Sequence, residues 1–179
     1  MNNYITFHKL LDYLEDFQTQ SPILNSFGYG NLVDFSRTVS GQTVQYPYMF
    51  CVPLSITYDE NITTYQMSIL FADIINTDFE NQKEIVSDMS LQAKRFLSYI
   101  KRGENTFPSI FNNMDVDLPV GAIPWLERFG DHVAGVALDV NLIVFEELNA
   151  CDIYPTPTPS VSPTMTMTPS ATPTPTPTL

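Results

Sequence analysis

The chain has 179 residues, 44% of them apolar, and a formal net charge of −12 from 20 acidic and 8 basic residues. A protein this acidic repels phosphate groups, which argues against nucleic acid or an anionic membrane as a binding partner. No run approaches the ~20 apolar residues that a membrane-spanning helix needs. The N-terminus, Met1-Asn2-Asn3-Tyr4, has no basic segment followed by an apolar run, so we expect no secretory signal peptide.

Composition divides the chain at residue 155. Residues 155–179 carry no charge, include no aromatic residue, and hold eight of the fourteen prolines together with nine threonines. Such a segment cannot build a hydrophobic core, so it must be a spacer, a stalk or a strap that binds a partner. We therefore predict a globular domain over residues 1–154 and an extended Pro/Thr-rich tail over residues 155–179. As a polyproline II helix the tail would reach roughly 75–80 Å.

The first predicted element is an amphipathic helix over residues 4–17, where apolar side chains recur at helical spacing. Pro22 ends it. Residues 23–35 are aromatic and β-branched but interrupted by Gly28 and Gly30. They predict a strand with a bulge or a tight bend at the glycines.

Two extended segments follow, over residues 47–58 and 64–75, separated by a turn at Asp59-Glu60-Asn61. The second segment alternates regularly between two faces, and together the segments predict a β-hairpin. Pro53 cannot donate a hydrogen bond to a neighbouring strand, which indicates an edge or a bulge at that position.

Thr77-Asp78-Phe79-Glu80 has the form of a capping box and predicts the start of a helix of about 20 residues. One stripe of that helix is apolar, and Lys101-Arg102-Gly103 should close it. Residues 104–119 are polar and irregular, and residues 120–129 are extended and hold the only tryptophan, Trp125.

Residues 133–145 predict a strand of about 40 Å, roughly twice the usual length. Val136, Leu138, Val140, Leu142 and Val144 share one face. Because so long a strand should extend beyond the core of its own domain, we expect it to pair within an assembly or to be covered. We name Val136 and Val140 as interface residues. The order of elements predicts an α+β domain, a mainly antiparallel twisted sheet with the long helix and the N-terminal helix on one face.

No residue pattern in the chain points to catalysis, a cofactor or a metal. His8 and His132 lie far apart and match no zinc spacing. The acidic residues between Asp73 and Asp88 could be a carboxylate pair for acid–base chemistry, but helix capping explains them better. Cys51 and Cys151 adjoin apolar runs, and we expect two buried free thiols. We therefore predict a non-enzymatic protein without cofactors.

In order and spacing, residues 23–153 resemble a family of small structural proteins of tailed bacteriophages, the tail-completion or tail-terminator proteins. The segments that carry the resemblance are Phe27-Gly28-Tyr29-Gly30-Asn31, Tyr46-Pro47-Tyr48-Met49-Phe50 with Pro53, Phe71-Ala72-Asp73-Ile74-Ile75-Asn76, Ser87-Asp88, Val133-Ala134-Gly135-Val136, and Asn149-Ala150-Cys151-Asp152-Ile153.

The resemblance implies an α+β fold and a homo-oligomeric ring of six or twelve copies at the head–tail junction. Its partners would be neighbouring neck, tail or portal-associated proteins, and its location the virion after assembly in the host cytoplasm. An acidic lumen would let DNA pass without binding it.

The Pro/Thr-rich tail is no part of the family pattern, and we expect it to strap neighbouring subunits together. The tail residues expected at that interface are Tyr154, Pro155, Pro157, Pro159, Pro173, Pro175 and Pro177. Two other classes stay open: an extracellular or surface adhesion module on a Pro-Thr stalk, and a small hydrolase or transferase.

Overall fold

The computed structural model describes residues 5–40, 44–78, 80–102, 114–127 and 132–145. All of them belong to the first of two units, Met1–Leu148; the second unit is Asn149–Leu179. The Pro/Thr-rich tail, Tyr154 and Cys151 therefore lie outside the described residues.

Three helices and six strands make up the described part of the chain. In chain order they are α1 (Phe7–Gln20), β1 (Ser26–Tyr29), α2 (Leu32–Ser40), β2 (Tyr48–Tyr58), β3 (Ile62–Ile74), α3 (Gln82–Arg102), β4 (Met114–Val116), β5 (Ala122–Glu127) and β6 (Val133–Phe145). The strands form one sheet in the order β1-β2-β3-β6, and both β4 and β5 pair with the far side of β6. Every pairing is antiparallel except that of β1 with β2. The predicted α+β class with a mainly antiparallel sheet is confirmed.

One face of the sheet is covered by α1 and α3, as predicted. The apolar stripe of α3, which includes Met89 and Phe96, packs on the side chains of β3 and β6 that point to this face. Phe96 is fully buried and contacts Phe17 of α1 and Phe71 of β3, with ring centroids 5.3 and 6.1 Å away. Because each element contributes apolar side chains at its own period, this face holds the larger core, and we call it the closed face.

The opposite face of the sheet carries α2, a helix that the sequence did not lead us to expect. Phe35 of α2 is buried against Tyr48 and Phe50 of β2, with centroids 6.1 and 5.2 Å away. Gly28 of β1 makes room for this cluster, because a Cβ there would stand 2.1 Å from the Tyr48 hydroxyl oxygen. Since α2 has only nine residues, it covers part of this face, and we call it the half-open face.

The prediction of a strand over residues 23–35 is therefore wrong in its second half. The chain bends at Gly30, whose φ of +150° suits glycine, and turns into α2. Asn31 caps the new helix: its Oδ1 accepts from the amides of Val33 and Asp34, and Asp34 Oδ2 accepts from the Asn31 amide. This reciprocal pair is a capping box, and its bonds outweigh the strand preference of the aromatic and β-branched residues.

The capping box predicted at residues 77–80 is also wrong, because α3 begins later, at Gln82. Asn81 precedes the helix, and its carbonyl accepts from the Ile85 amide at 3.0 Å. Its side chain holds the end of β3 instead, accepting from the Asn76 amide and donating to the Ile74 carbonyl. The region expected to be irregular before residue 119 contains β4.

The long strand is confirmed with the predicted bounds, but it does not run free of its own domain. β6 pairs with β3 over its whole length, and on its other side with β5 near Val136 and with β4 near Val144. Val136 and Val140 are 0% and 1% exposed, inside the closed-face core. Their side chains therefore cannot reach a partner, which corrects their assignment as interface residues.

Candidate functional site

An apolar groove lies on the half-open face. It has a volume of about 600 Å³ and lies between α2 and β5, above the middle of the sheet. We call it the Trp125 groove. The residues that line it are Leu32, Val33, Phe35, Ser36, Ser68, Leu70, Ile123, Trp125, Ala137 and Asp139. Its volume is within the usual range of ligand pockets, roughly 300–1,000 Å³.

Strand alternation places Trp125 in this groove. Ile123 and Trp125 of β5 stand opposite Ala137 and Gly135 of β6, so both point to the half-open face. The Trp125 ring meets Phe35 of α2 edge-on, with centroids 5.9 Å apart. Gly135 lies opposite Trp125 and has no side chain. A larger residue does not fit at this position, because a Cβ there would lie 1.8 Å from the Phe71 carbonyl oxygen.

Few polar groups line the groove. The Trp125 indole N–H is buried and has no hydrogen-bond acceptor within the described ranges. Asp139 is the one charged side chain among the residues that line the groove, alongside Ser36 and Ser68. Because the indole N–H is enclosed, the groove itself presents one carboxylate, two hydroxyls and otherwise apolar walls.

A second candidate surface is the outer half of β2. β1 pairs with β2 only from Tyr48 to Cys51, whereas β3 continues beside β2 as far as Tyr58. Across the described part of the chain, no strand pairs with the other side of residues 54–58. We call this stretch the open edge.

Apolar side chains line the open edge without any charge among them. Leu54, Ile56 and Tyr58 are 54%, 41% and 64% exposed, and the two residues between them are Ser55 and Thr57. The opposing strand is covered far better, since Tyr65, the partner of Ile56, is 4% exposed.

Two features of the open edge reduce its ability to pair with another strand. Pro53 supplies no amide, and the register shifts between Pro53 and Ser55, which confirms the bulge expected from this proline. Proteins often protect exposed edges with proline, bulges and lysine. Here the lysine is missing, and charge first appears at Asp59 and Glu60 in the turn.

The residues weighed for chemistry do not come together. His8 is exposed and lies 3.8 Å from Asp12, and His132 is exposed at the start of β6. Burial raises the pKa of Asp73, and the neighbouring carboxylate of Asp88 raises it further. Within the described ranges, no group of three or more potential ligands could hold a metal ion, and no helix is long and apolar enough to cross a membrane.

Cys51 is the buried free thiol that the sequence predicted. Burial raises its pKa to about 12, and its Sγ lies 3.7 Å from Met67 Sδ. Burial therefore keeps the thiol protonated at neutral pH, the less reactive form. Cys151 lies outside the described residues, as do all the tail residues expected at an interface.

Sequence reasoning did not find the groove, and it pointed to the open edge only through Pro53, which indicated an edge or a bulge. The Asn31-x-x-Asp34 spacing indicates the helix that forms one wall of the groove. The difference in length between β1 and β2 is what opens the edge, and this depends on the bend at Gly30. Searches against protein-family models and curated sequences find no match for this chain.

Proposed function

We propose that this chain is a non-enzymatic structural protein that assembles with copies of itself through the open edge of β2. The observation that carries the proposal is a hairpin strand of uncharged, mostly β-prone residues, one side of which pairs with no strand in the described part of the chain. A strand edge of this kind binds another strand through main-chain hydrogen bonds, and its side chains select the partner.

The energetic support comes from the half-exposed apolar side chains. Burying each of Leu54, Ile56 and Tyr58 against a partner contributes on the order of 1 kcal/mol. The strand is already held straight by its ladder with β3, from Ser55↔Gln66 to Tyr58↔Thr63. A partner strand therefore meets a prepared template, and less conformational entropy is lost on pairing.

Head-to-tail contacts close into a ring when the rotation between neighbours fits. We place this ring at the neck or tail of a tailed-phage virion, as a tail-completion or terminator-like protein, because that family resemblance accounts for the order of the segments. Its neighbours would be adjacent neck, tail or portal-associated proteins, with the Pro/Thr-rich tail as a strap between subunits. The net charge of −12 supports a lumen that repels DNA rather than binding it.

The test is the solution mass of the full chain over a range of concentrations, measured by light scattering or native mass spectrometry. We expect a closed oligomer that dissociates on dilution. Ile56→Lys should raise the dissociation constant at least about tenfold, ~1.4 kcal/mol, because a lysine at an edge opposes strand addition. Ile74→Lys is the matched control, since Ile74 is 43% exposed against 41% for Ile56 and lies at the end of β3.

Two results would contradict the proposal: a wild-type chain that stays monomeric at every concentration, or an Ile56→Lys variant that assembles like the wild type. Placement in the virion has its own test. The protein composition of purified particles, made from the genome that encodes this chain, should include it in six or twelve copies per particle, and its absence would remove the phage assignment.

A further inference from the structure

The Trp125 indole is a buried donor without an acceptor in the described part of the chain. A buried polar group left unpaired costs about 1–3 kcal/mol. It lies in a groove whose walls are otherwise mostly apolar. Because this nitrogen is enclosed, a ligand in the groove gains apolar contact with the walls, and a rotation of the ring that exposes the N–H would add a hydrogen bond to a ligand carbonyl.

An apolar groove with an indole ring in its wall suits a polyproline II segment. Such segments have no internal hydrogen bonds, so their carbonyls are free to accept, and their proline rings pack into aromatic-lined grooves. Trp125 supplies the aromatic surface, and its ring is held edge-on against the buried ring of Phe35. Exposed Leu32, Val33 and Ile123, each between 57% and 64% exposed, supply apolar rims that a bound segment would cover.

We propose that the Trp125 groove binds the Pro/Thr-rich segment, residues 155–179, of a second copy of this chain. The segment alternates Thr and Pro near both of its ends, so rings and carbonyls recur at a short repeat. Its threonine hydroxyls can donate to the Asp139 carboxylate. The inference rests on the proposed function in one respect, since it supplies the receptor for the strap between subunits.

The charge distribution of the chain favours the uncharged tail as the ligand of the groove. All of the net charge of −12 lies before residue 155, so most of this protein's own surface repels an acidic ligand. The tail is uncharged and meets the groove without that repulsion. With 25 residues it also has the length to leave one subunit and reach another, because polyproline II rises ~3.1 Å per residue.

The sole tryptophan of the chain makes the test direct. A full-length variant with serine at the eight tail prolines leaves the groove intact while weakening its ligand. A synthetic peptide of residues 155–179 is titrated into this variant, and the fluorescence of Trp125 is followed. We expect a saturable blue shift, because the indole becomes more enclosed, and no saturable change with a peptide in which serine replaces proline.

Two single substitutions, each added to that variant, localise the site. Ile123→Asp places a charge on the rim and should weaken peptide binding at least tenfold. Leu126→Asp is the matched control, since Leu126 is 58% exposed against 57% for Ile123 and lies on the same strand with the opposite orientation. Peptide affinity should be unchanged in Leu126→Asp.

Three results would overturn the inference. The first is no saturable response to the peptide. The second is an equal loss of affinity in both aspartate variants. The third is a wild-type Trp125 signal that matches the peptide-saturated signal and does not change on dilution, which would show each chain occupying its own groove.

The Ile56→Lys variant separates this inference from assembly through the open edge, because it should leave peptide affinity unchanged while lowering the oligomer mass.

Discussion

The two faces of the sheet differ in how completely they are covered. On the closed face, α1 and the 21-residue α3 bury one continuous core, and Tyr99 of α3 donates to Asp16 of α1 at 2.8 Å. On the half-open face, nine residues of α2 protect a smaller cluster around Phe35. The same strands thus contribute a closed core on one side and leave an apolar groove on the other.

A similar contrast runs along β2. Tyr48 to Val52 are buried, and the residues from Pro53 to Tyr58 are exposed. Burial follows the cover that β1 and α2 provide, and it ends where they end. Where cover is lacking, the chain still uses apolar residues such as Ile56 and Tyr58. Within the described residues nothing covers these side chains, and exposed apolar patches often mark protein–protein contact sites, in keeping with the proposed assembly.

The largest expected effect comes from breaking the closed face. Phe96→Ala removes a fully buried ring that contacts α1 and β3, and we expect it to lower the free energy of unfolding by about 3–5 kcal/mol. Urea unfolding followed by circular dichroism measures this. A loss below about 1 kcal/mol would mean that the closed face does not carry the stability of the fold.

The next effect concerns the close contact between β6 and β3 at Gly135. Gly135→Ala would place a Cβ 1.8 Å from the Phe71 carbonyl oxygen, whereas a Cβ at Gly121 would meet nothing within 4 Å. Because backbone must move to relieve the clash, we expect a loss of about 1–3 kcal/mol or more for Gly135→Ala. Equal stability of the Gly135→Ala and Gly121→Ala variants in thermal melts would contradict the packing of β3 on β6.

The smallest effect concerns the ion pair that ties α3 to β4. Lys101 Nζ lies 2.6 Å from Asp115 Oδ1, and this hydrogen bond lowers the pKa of Asp115. A lowered pKa in the folded state stabilises the protein above the unfolded-state value, and this contribution is lost as pH falls through the lowered pKa.

Both partners of this pair are 40% or more exposed, so Asp115→Asn should cost only about 0.2–1 kcal/mol at pH 7. The difference from wild type should vanish in acid, which urea melts at several pH values measure. A difference that grows as pH falls would show that the carboxylate is not stabilised by Lys101.

The sequence predicts the closed face well because burial there follows simple periods. The stripe from Ile85 to Ile100 and the alternation of β3 and β6 each recur at the spacing of their own element. The bulge at Pro53 was also predictable, since proline has no amide to donate. These features depend on a few neighbouring residues and need no knowledge of the rest of the fold.

The half-open face was harder to predict because competing local signals occur there. Residues 32–35 are β-prone, yet the Asn31 cap and the bend at Gly30 produce a helix. The bounds of β6 were correct, and it is covered, which was one of the two expected outcomes. The sequence did not show that β4, from a region expected to be irregular, and β5 supply this cover. Which strand is left uncovered depends on the positions of all its neighbours, and a pattern within one segment does not contain that information.

Hydrogen exchange at the outward-facing amides of residues 54–58 tests the central claim most directly. If another strand covers the open edge, these amides should exchange as slowly in the assembled protein as those in the middle of β3, and quickly in Ile56→Lys. Fast exchange of these amides in an assembled wild-type protein would show that assembly uses another surface, and would contradict the proposal.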